Sequence, residues 1–275
     1  MKQFKQITII GVGLLGGSIG SAVKKKKLAG KVVGFFRNKK KIGPAIKLGL
    51  IDSGTDDFNQ AVNGSDLIIL CSPVNDIILK LKKIKSQGLT NVLITDTGSS
   101  KQEIIKAAKG LNFAGSHPLA GSEQSGAKFA KNNLFEGTVC VVSKEADSRS
   151  LKQIIRFWNA LGSRTLVMSA KEHDRILAFT SHLPHIAAFS LINSIPKGKM
   201  SLSAGGLKDT TRIALSNPQV WVDIFLSNKA NVLTSISAFE KSISSLKKAV
   251  SRGDRKKLLS FLKDAQSKRN SITHP

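Results

Sequence analysis

The chain's early residues Ile7-Thr8-Ile9-Ile10-Gly11-Val12-Gly13-Leu14-Leu15-Gly16-Gly17-Ser18-Ile19-Gly20 run from an apolar stretch into closely spaced glycines. Helix-like spacing then continues to about Lys25, and a second strand-like run, Lys31 to Phe36, closes a unit of about thirty residues. Strand, glycine turn, helix and strand in that order predict a dinucleotide-binding unit, where GxGxxG alone would be weak evidence. Gly11 would permit the tight turn, Gly13 the approach of a pyrophosphate, and Gly16 close packing of helix on strand. Leu14 and Leu15 lie on the same turn, where phosphates would meet the helix N-terminus.

The second strand bears on which dinucleotide. An adenosine ribose is usually read by an acidic residue about twenty positions after the glycines, whereas a 2′-phosphate needs a cation. Here the strand ends Phe35-Phe36-Arg37-Asn38-Lys39-Lys40-Lys41, and no acidic residue precedes Asp52. Arg37 can fork onto a phosphate, so NADP is expected over NAD.

Further on, Leu67 to Cys71 is an unbroken apolar run of the kind buried on both faces of a parallel sheet, and it stops at Ser72-Pro73, which either lines a cofactor or is a simple turn. Val92 to Thr95 leads into Asp96-Thr97-Gly98-Ser99-Ser100-Lys101, where Ser99 stands either near the nicotinamide or at a helix cap. Phe113 to Gly115 is expected as a short strand delivering His117, inside a loop of glycines, hydroxyls and a carboxylate, Gly115 to Gly126. Thr138 to Ser143 reads as a last strand and Leu151 to Leu161 as an amphipathic helix.

After about Met168 the pattern is helices only, giving two expected domains, 1–168 and 169–275. Ser169 and Glu172 have capping-box spacing for a long helix, which Pro184 should kink. The fold class is therefore α/β, a Rossmann-like domain followed by an all-helical one.

Composition narrows the function. The chain has 275 residues and a net charge of +25, which would draw any anion. Lysines occur in short clusters without the interleaved aromatics of a single-strand binder, so neither a nucleic-acid nor a membrane partner is expected. No apolar run approaches a membrane span and no signal pattern opens the chain, so the cytoplasm is expected. Cys71 and Cys140 sit in apolar runs as buried thiols, and no metal-ligand spacing occurs.

Taken together, Asp96-x-Gly98-Ser99-x-Lys101, His117-Pro118-x-Ala120-Gly121-Ser122-Glu123-x-x-Gly126, Leu134-Phe135, His173-Asp174, Ser181-His182-Leu183-Pro184-His185 and Lys208-Asp209-x-Thr211-Arg212 resemble the prephenate and arogenate dehydrogenase family across essentially the whole chain. The resemblance implies a helical domain that forms a homodimer and an active site between the domains. It implies His117 as the group taking the substrate hydroxyl proton, Ser99 as its partner, Arg212 on the ring carboxylate and His185 near the pyruvyl side chain. Ser122 and Glu123 would line the same loop, Glu123 orienting Arg212 or gating the site. His173 and His182 are expected to be structural, the first capping or pairing within its helix and the second facing the core. Prephenate is expected over arogenate because His185 could donate to a keto group. Arg37 departs from the acidic ribose reader of NAD-using members, and no amino-acid-binding regulatory domain is expected after the helices.

Overall fold

The computed structural model describes residues 3–121 and 124–272. In chain order the elements are β1 (Phe4–Ile10), α1 (Leu14–Lys25), β2 (Ala29–Phe35), α2 (Ile42–Lys47), β3 (Ser53–Thr55), α3 (Phe58–Val62), β4 (Leu67–Leu70), α4 (Val74–Ser86), β5 (Leu93–Asp96) and α5 (Gln102–Ala107). Then follow β6 (Ser116–Pro118), β7 (Val139–Ser143), α6 (Ser148–Leu161), β8 (Arg164–Met168), α7 (Ala170–Leu177), α8 (Leu183–Ser194), α9 (Gly205–Thr211), α10 (Pro218–Ser227), α11 (Lys229–Ser251) and α12 (Arg255–Asn270).

Five strands form a parallel sheet in the order β3-β2-β1-β4-β5. Its central strands are apolar on both faces because helices cover both. Along β4, Leu67 and Ile69 join a core with Ile19, Phe157 and Trp158, while Ile68 and Leu70 join another with Ile77, Leu81 and Ile104. Each fully buried aliphatic side chain contributes about 1.5–3 kcal/mol relative to exposure. The carboxyl ends of β1, β4 and β5 carry the turns at Gly11, Ser72 and Gly98, so one end of the sheet gathers the polar segments.

The expected strand at Phe113 to Gly115 is replaced by a single bridge from Phe113 to Ile94, and the strand itself is β6, which contains His117. β6 pairs antiparallel with β7, and β7 pairs parallel with β8, in a separate three-stranded sheet. β7 is thus not the last strand. β8 escapes the sequence pattern because its burial is partial, with Leu166 and Val167 exposed.

Ser169 caps α7 as its spacing predicts, accepting from Glu172 N at 3.1 Å. The kink expected at Pro184 takes the form of a π-helical turn, Ala178–His182, immediately before it, which accommodates the backbone that proline cannot bond. Together these segments make one helical path, Ala170–Ser194, whose 25 residues are long and apolar enough by length and composition to cross a membrane, the one such path among the described residues. No membrane span is expected from the sequence, where no unbroken apolar run is long enough. The path buries His173, Asp174 and His182, the pattern of a helix seated on protein. After Pro196 the chain is partly helical, with a 3-10 turn at Lys197–Leu202 followed by α9, and Arg212 begins a 3-10 turn after α9.

By contacts the chain forms two compact units, residues 1–228 and 229–275. The second is a helical hairpin of α11 and α12, whose turn ends at Asp254, a cap accepting from Lys257 N at 2.9 Å.

The glycine turn generates a stability prediction. A Cβ on Gly16 would overlap the Gly11 carbonyl oxygen and meet Cys71 Cβ at 3.1 Å, whereas one on Gly13 meets nothing within 4 Å. Gly16→Ala should therefore lower unfolding free energy by about 1–3 kcal/mol, read as a lower urea midpoint at unchanged slope. Gly13→Ala should cost less than about 1 kcal/mol. Equal midpoints for the two variants would refute the packing account.

Candidate functional site

The sheet's carboxyl end opens into a cleft of about 260 Å³ lined by Leu14, Leu15, Ser72, Pro73, Gly98 and Ser99 among others. Gly11 turns the chain at φ +95°, and a side chain there would strike the Cys71 carbonyl oxygen at 2.8 Å. No side chain caps the first turn of α1. Among the described residues the buried Ser72 hydroxyl, at the rim of the cleft, has no hydrogen-bond partner. These residues fit a dinucleotide: open space over Gly13, an uncapped helix start and an unmet hydroxyl. A larger hollow of about 530 Å³, lined by Asn59, Gln60, Asn63 and Gln87 with Val62 and Leu89, holds no ionisable group and offers no comparable chemistry.

Beside the cleft, Asp96 ends β5 in full burial. Its Oδ2 accepts from Gly98 N at 2.8 Å and from the equally buried Lys101 ammonium, and its Oδ1 accepts from Ser116 N at 3.0 Å. One carboxylate thus holds the turn carrying Ser99 and the strand carrying His117. Ser116 Oγ donates to the Asp96 carbonyl at 2.6 Å, tightening the same junction.

His117 Nδ1 lies 2.9 Å from His173 Nε2, and His173 Nδ1 lies 2.8 Å from Asp174 Oδ1. Asp174 in turn accepts from the backbone amides of Lys101 at 2.7 Å and Gln102 at 2.9 Å. Burial pushes the Asp174 carboxyl up, but the bonds from His173, Gln102 and Lys101 outweigh it and hold it below the usual carboxylate range. Burial first, then the charges of His173, Lys101 and His182, hold His117 well below the ordinary histidine value. Burial lowers His173 despite its bond to Asp174. His182 is pushed down to about 4, chiefly by burial, and its Nε2 faces the Ser99 carbonyl without a hydrogen bond of normal geometry. Asn228 Nδ2 donates to the Asp174 carbonyl at 2.7 Å and approaches His182 Nδ1 at 3.3 Å.

His185 is half-buried and stacks on Trp221, centroids 3.5 Å apart. Its Nδ1 gives its proton to the Ser181 carbonyl at 3.0 Å. While the ring is neutral its Nε2 is therefore a lone pair, an acceptor and not the donor expected from sequence. Burial lowers this ring also.

Of the residues singled out in the sequence, Gly11, Gly13, Leu14, Leu15, Gly16, Ser72, Pro73 and Ser99 gather around the cleft or its turn, and His117 is tied to them through Asp96. Arg37 is exposed beyond β2, and Arg212 is exposed on its 3-10 turn. Ser122 and Glu123 lie outside the described residues. His173 pairs within its helix, with Asp174, as expected, and also beyond it, with His117, which was not expected. Its signal in the sequence was the adjacent Asp174, but nothing local could show that the pair faces β6. Among the described residues no three His, Cys, Asp or Glu side chains converge as metal ligands. Burial pushes the Cys71 thiol up to about 12 and raises Cys140, which leaves both unreactive.

Residues 19–167 match the family model "Prephenate dehydrogenase, nucleotide-binding domain", and residues 169–264 match "Prephenate dehydrogenase, dimerization domain". The chain is 33% identical to the prephenate dehydrogenase of Bacillus subtilis over 99% of its own length and 77% of that protein. It is 34% identical to the cyclohexadienyl dehydrogenase of Zymomonas mobilis, over 99% of this chain and 97% of that one. Among solved structures it superposes with TM-score 0.91 and 35% identity on the prephenate dehydrogenase of Aquifex aeolicus in complex with hydroxyphenyl propionate and NAD+, covering 99% of each chain.

The histidine cluster makes stability depend on pH. Below about pH 6.5 the unfolded chain takes up protons that the folded His117, His173 and His182 refuse, so the stability they support is present above that value. It is lost as pH falls towards their folded values, about 4 for His182. Each ring should cost up to about 1.4 kcal/mol per pH unit in that window. Melting temperatures measured from pH 7 to pH 5 should fall; a flat profile would mean that these rings are charged in the fold.

Proposed function

The chain belongs to the prephenate dehydrogenase family, and we propose that it oxidatively decarboxylates prephenate to 4-hydroxyphenylpyruvate in tyrosine biosynthesis, with NADP favoured over NAD as hydride acceptor. What carries this reading is the single carboxylate of Asp96, which ties a neutral buried histidine to the serine turn of a dinucleotide-shaped cleft. A cytoplasmic enzyme is the corresponding location. We place the division of labour at residues 168/169, between nucleotide binding and helical substrate contacts and dimerisation.

The glycine turn at Gly11, Gly13 and Gly16, with Leu14 and Leu15, would receive the pyrophosphate, and Ser72 and Pro73 would line the cofactor. The bound nicotinamide supplies an acceptor for hydride. For the adenosine end, the first carboxylate after the glycines is committed elsewhere: Asp52 accepts from Val32 N at 2.8 Å and pairs with Lys24 at 2.7 Å. Arg37 is the charged group beyond β2 and would hold the 2′-phosphate.

At the substrate, His117 would take the 4-hydroxyl proton. The O–H electrons become a C=O bond as hydride leaves C4, carbon dioxide leaves C1, and the phenolate so formed takes the proton back. Ser99 would bond the same hydroxyl. Arg212 would grip the ring carboxylate, and Ser122 and Glu123 would contact the substrate. His185 would meet the side chain. Its neutral ring presents a lone pair, which suits the amino group of arogenate, whereas a keto group needs the protonated ring. That observation favours arogenate as a second substrate. Exposed Ile176, Phe179, Leu191, Val222 and Leu226 on the segment matched to the dimerization domain support a homodimer in which a second copy covers them.

Initial rates of reduced-cofactor formation with prephenate and arogenate, each with NADP and NAD, test the reading directly. Turnover with neither substrate would overturn it. Arg37→Ala should lower kcat/KM for NADP roughly 10- to 100-fold, the worth of one charge-assisted hydrogen bond, and leave NAD nearly unchanged. Because His117 must be neutral to accept a proton and is held below the ordinary value, kcat/KM should persist below pH 6.5 before falling. An inflection at or above 6.5 would show a different base.

A further inference from the structure

The hydrogen bonds from α7 to β6 have a direction that follows from the heavy-atom distances together with the burial that keeps His173 neutral. Asp174 Oδ1 meets Lys101 N at 2.7 Å and His173 Nδ1 at 2.8 Å, and Oδ2 meets Gln102 N at 2.9 Å and Gln102 Nε2 at 3.3 Å. Three of these four partners are fixed donors, so the group is an ionised carboxylate and His173 Nδ1 must carry a proton towards it. A neutral imidazole has one N–H, so His173 Nε2 is then a lone pair. It lies 2.9 Å from His117 Nδ1, where a second lone pair would be repelled. His117 Nδ1 therefore carries its own proton and donates it. Among the described residues the remaining nitrogen, Nε2, has no hydrogen-bond partner.

We infer that Asp174 and His173 are positioning residues that lock His117 in its Nδ1–H tautomer, leaving Nε2 as its one basic atom and spreading the charge when Nε2 takes a proton from substrate. His173 is 1% exposed and Asp174 fully buried, so no water competes for these bonds, and Asn228 Nδ2 anchors the helix beside them through the Asp174 carbonyl. The ring centroids are 5.1 Å apart with the planes at 68°, so the rings meet through these two nitrogens and the Nδ1–H can point at the facing lone pair. The Lys101–Gln102 amides also belong to the segment anchored by Asp96. The same short stretch therefore sets the serine turn on one side and the orientation of His117 on the other. The catalytic part of this inference rests on the reading of His117 as proton acceptor; the tautomer does not.

The test uses the full chain labelled with 15N at the histidine imidazoles, the His117 signals being assigned by their loss in His117→Ala. At neutral pH the wild type should show a pyrrole-type Nδ1 and a pyridine-type Nε2 at His117. Asp174→Asn, which cannot satisfy all four donors, should lose that preference, with kcat falling about 10²- to 10⁴-fold and KM for substrate changing less than about threefold. An Nε2–H tautomer in the wild type, or wild-type kcat in Asp174→Asn, would overturn the inference. If Asp174→Asn fails to fold, the wild-type spectrum still decides. Full turnover by His117→Ala alongside an Nδ1–H signal in the wild type would remove His117 as base while leaving the tautomer lock standing.

Discussion

A carboxylate removed from water must be met by donors, and at Asp96 the donors come from three places in the chain. The Lys101 ammonium, the Gly98 amide and the Ser116 amide have to converge, so the loop after β5 and the start of β6 have little freedom to shift. Such a buried pair is weak evidence of added stability, since desolvating both charges offsets much of their attraction. Its effect here is geometric. Breaking it by removing one partner would leave a charge buried alone, at about 3–5 kcal/mol, and would release both walls of the site together.

The parallel sheet was legible because its signals are local. Apolar runs at β1 and β4, glycines at the turn and, beyond the sheet, the capping residue Ser169 each act over a few positions, and the structure realises them. Of the second sheet only β7 was legible: β6 has three residues and β8 is half exposed, so neither of these carries a periodic pattern. The candidate site divides the same way. Residues on the glycine turn could be named from spacing, but the bond between His117 and His173 spans 56 positions and depends on how α7 settles against β6. His185 shows a third kind of limit. Its position was readable, yet whether it donates or accepts follows from the Ser181 carbonyl one helical turn earlier.

The positive charge belongs to a different layer from the chemistry. Among the described residues Lys101 is the one lysine among the largest fully buried side chains, and its pairing with Asp96 means that it adds no net positive charge to the inner site. The excess sits on exposed lysines such as Lys39, Lys40 and Lys41, where solvent and salt screen it. Such a field speeds the arrival of any anion without choosing among them; selection falls to the inner groups.

The π-turn at Ala178–His182 acts as a phase correction. On an unbroken α-helix His173 and His182, nine positions apart, would stand about 180° apart around the axis, one facing protein and the other solvent. A π-turn absorbs one extra residue, and at about 100° per residue this brings the two imidazoles to within roughly a quarter turn of each other. Both are accordingly buried. The angular register of α8, and with it the placement of His185 against Trp221, is thus set by one surplus residue upstream, so that a single deletion there would rotate the whole helix out of register with the site while leaving every side chain in it chemically intact.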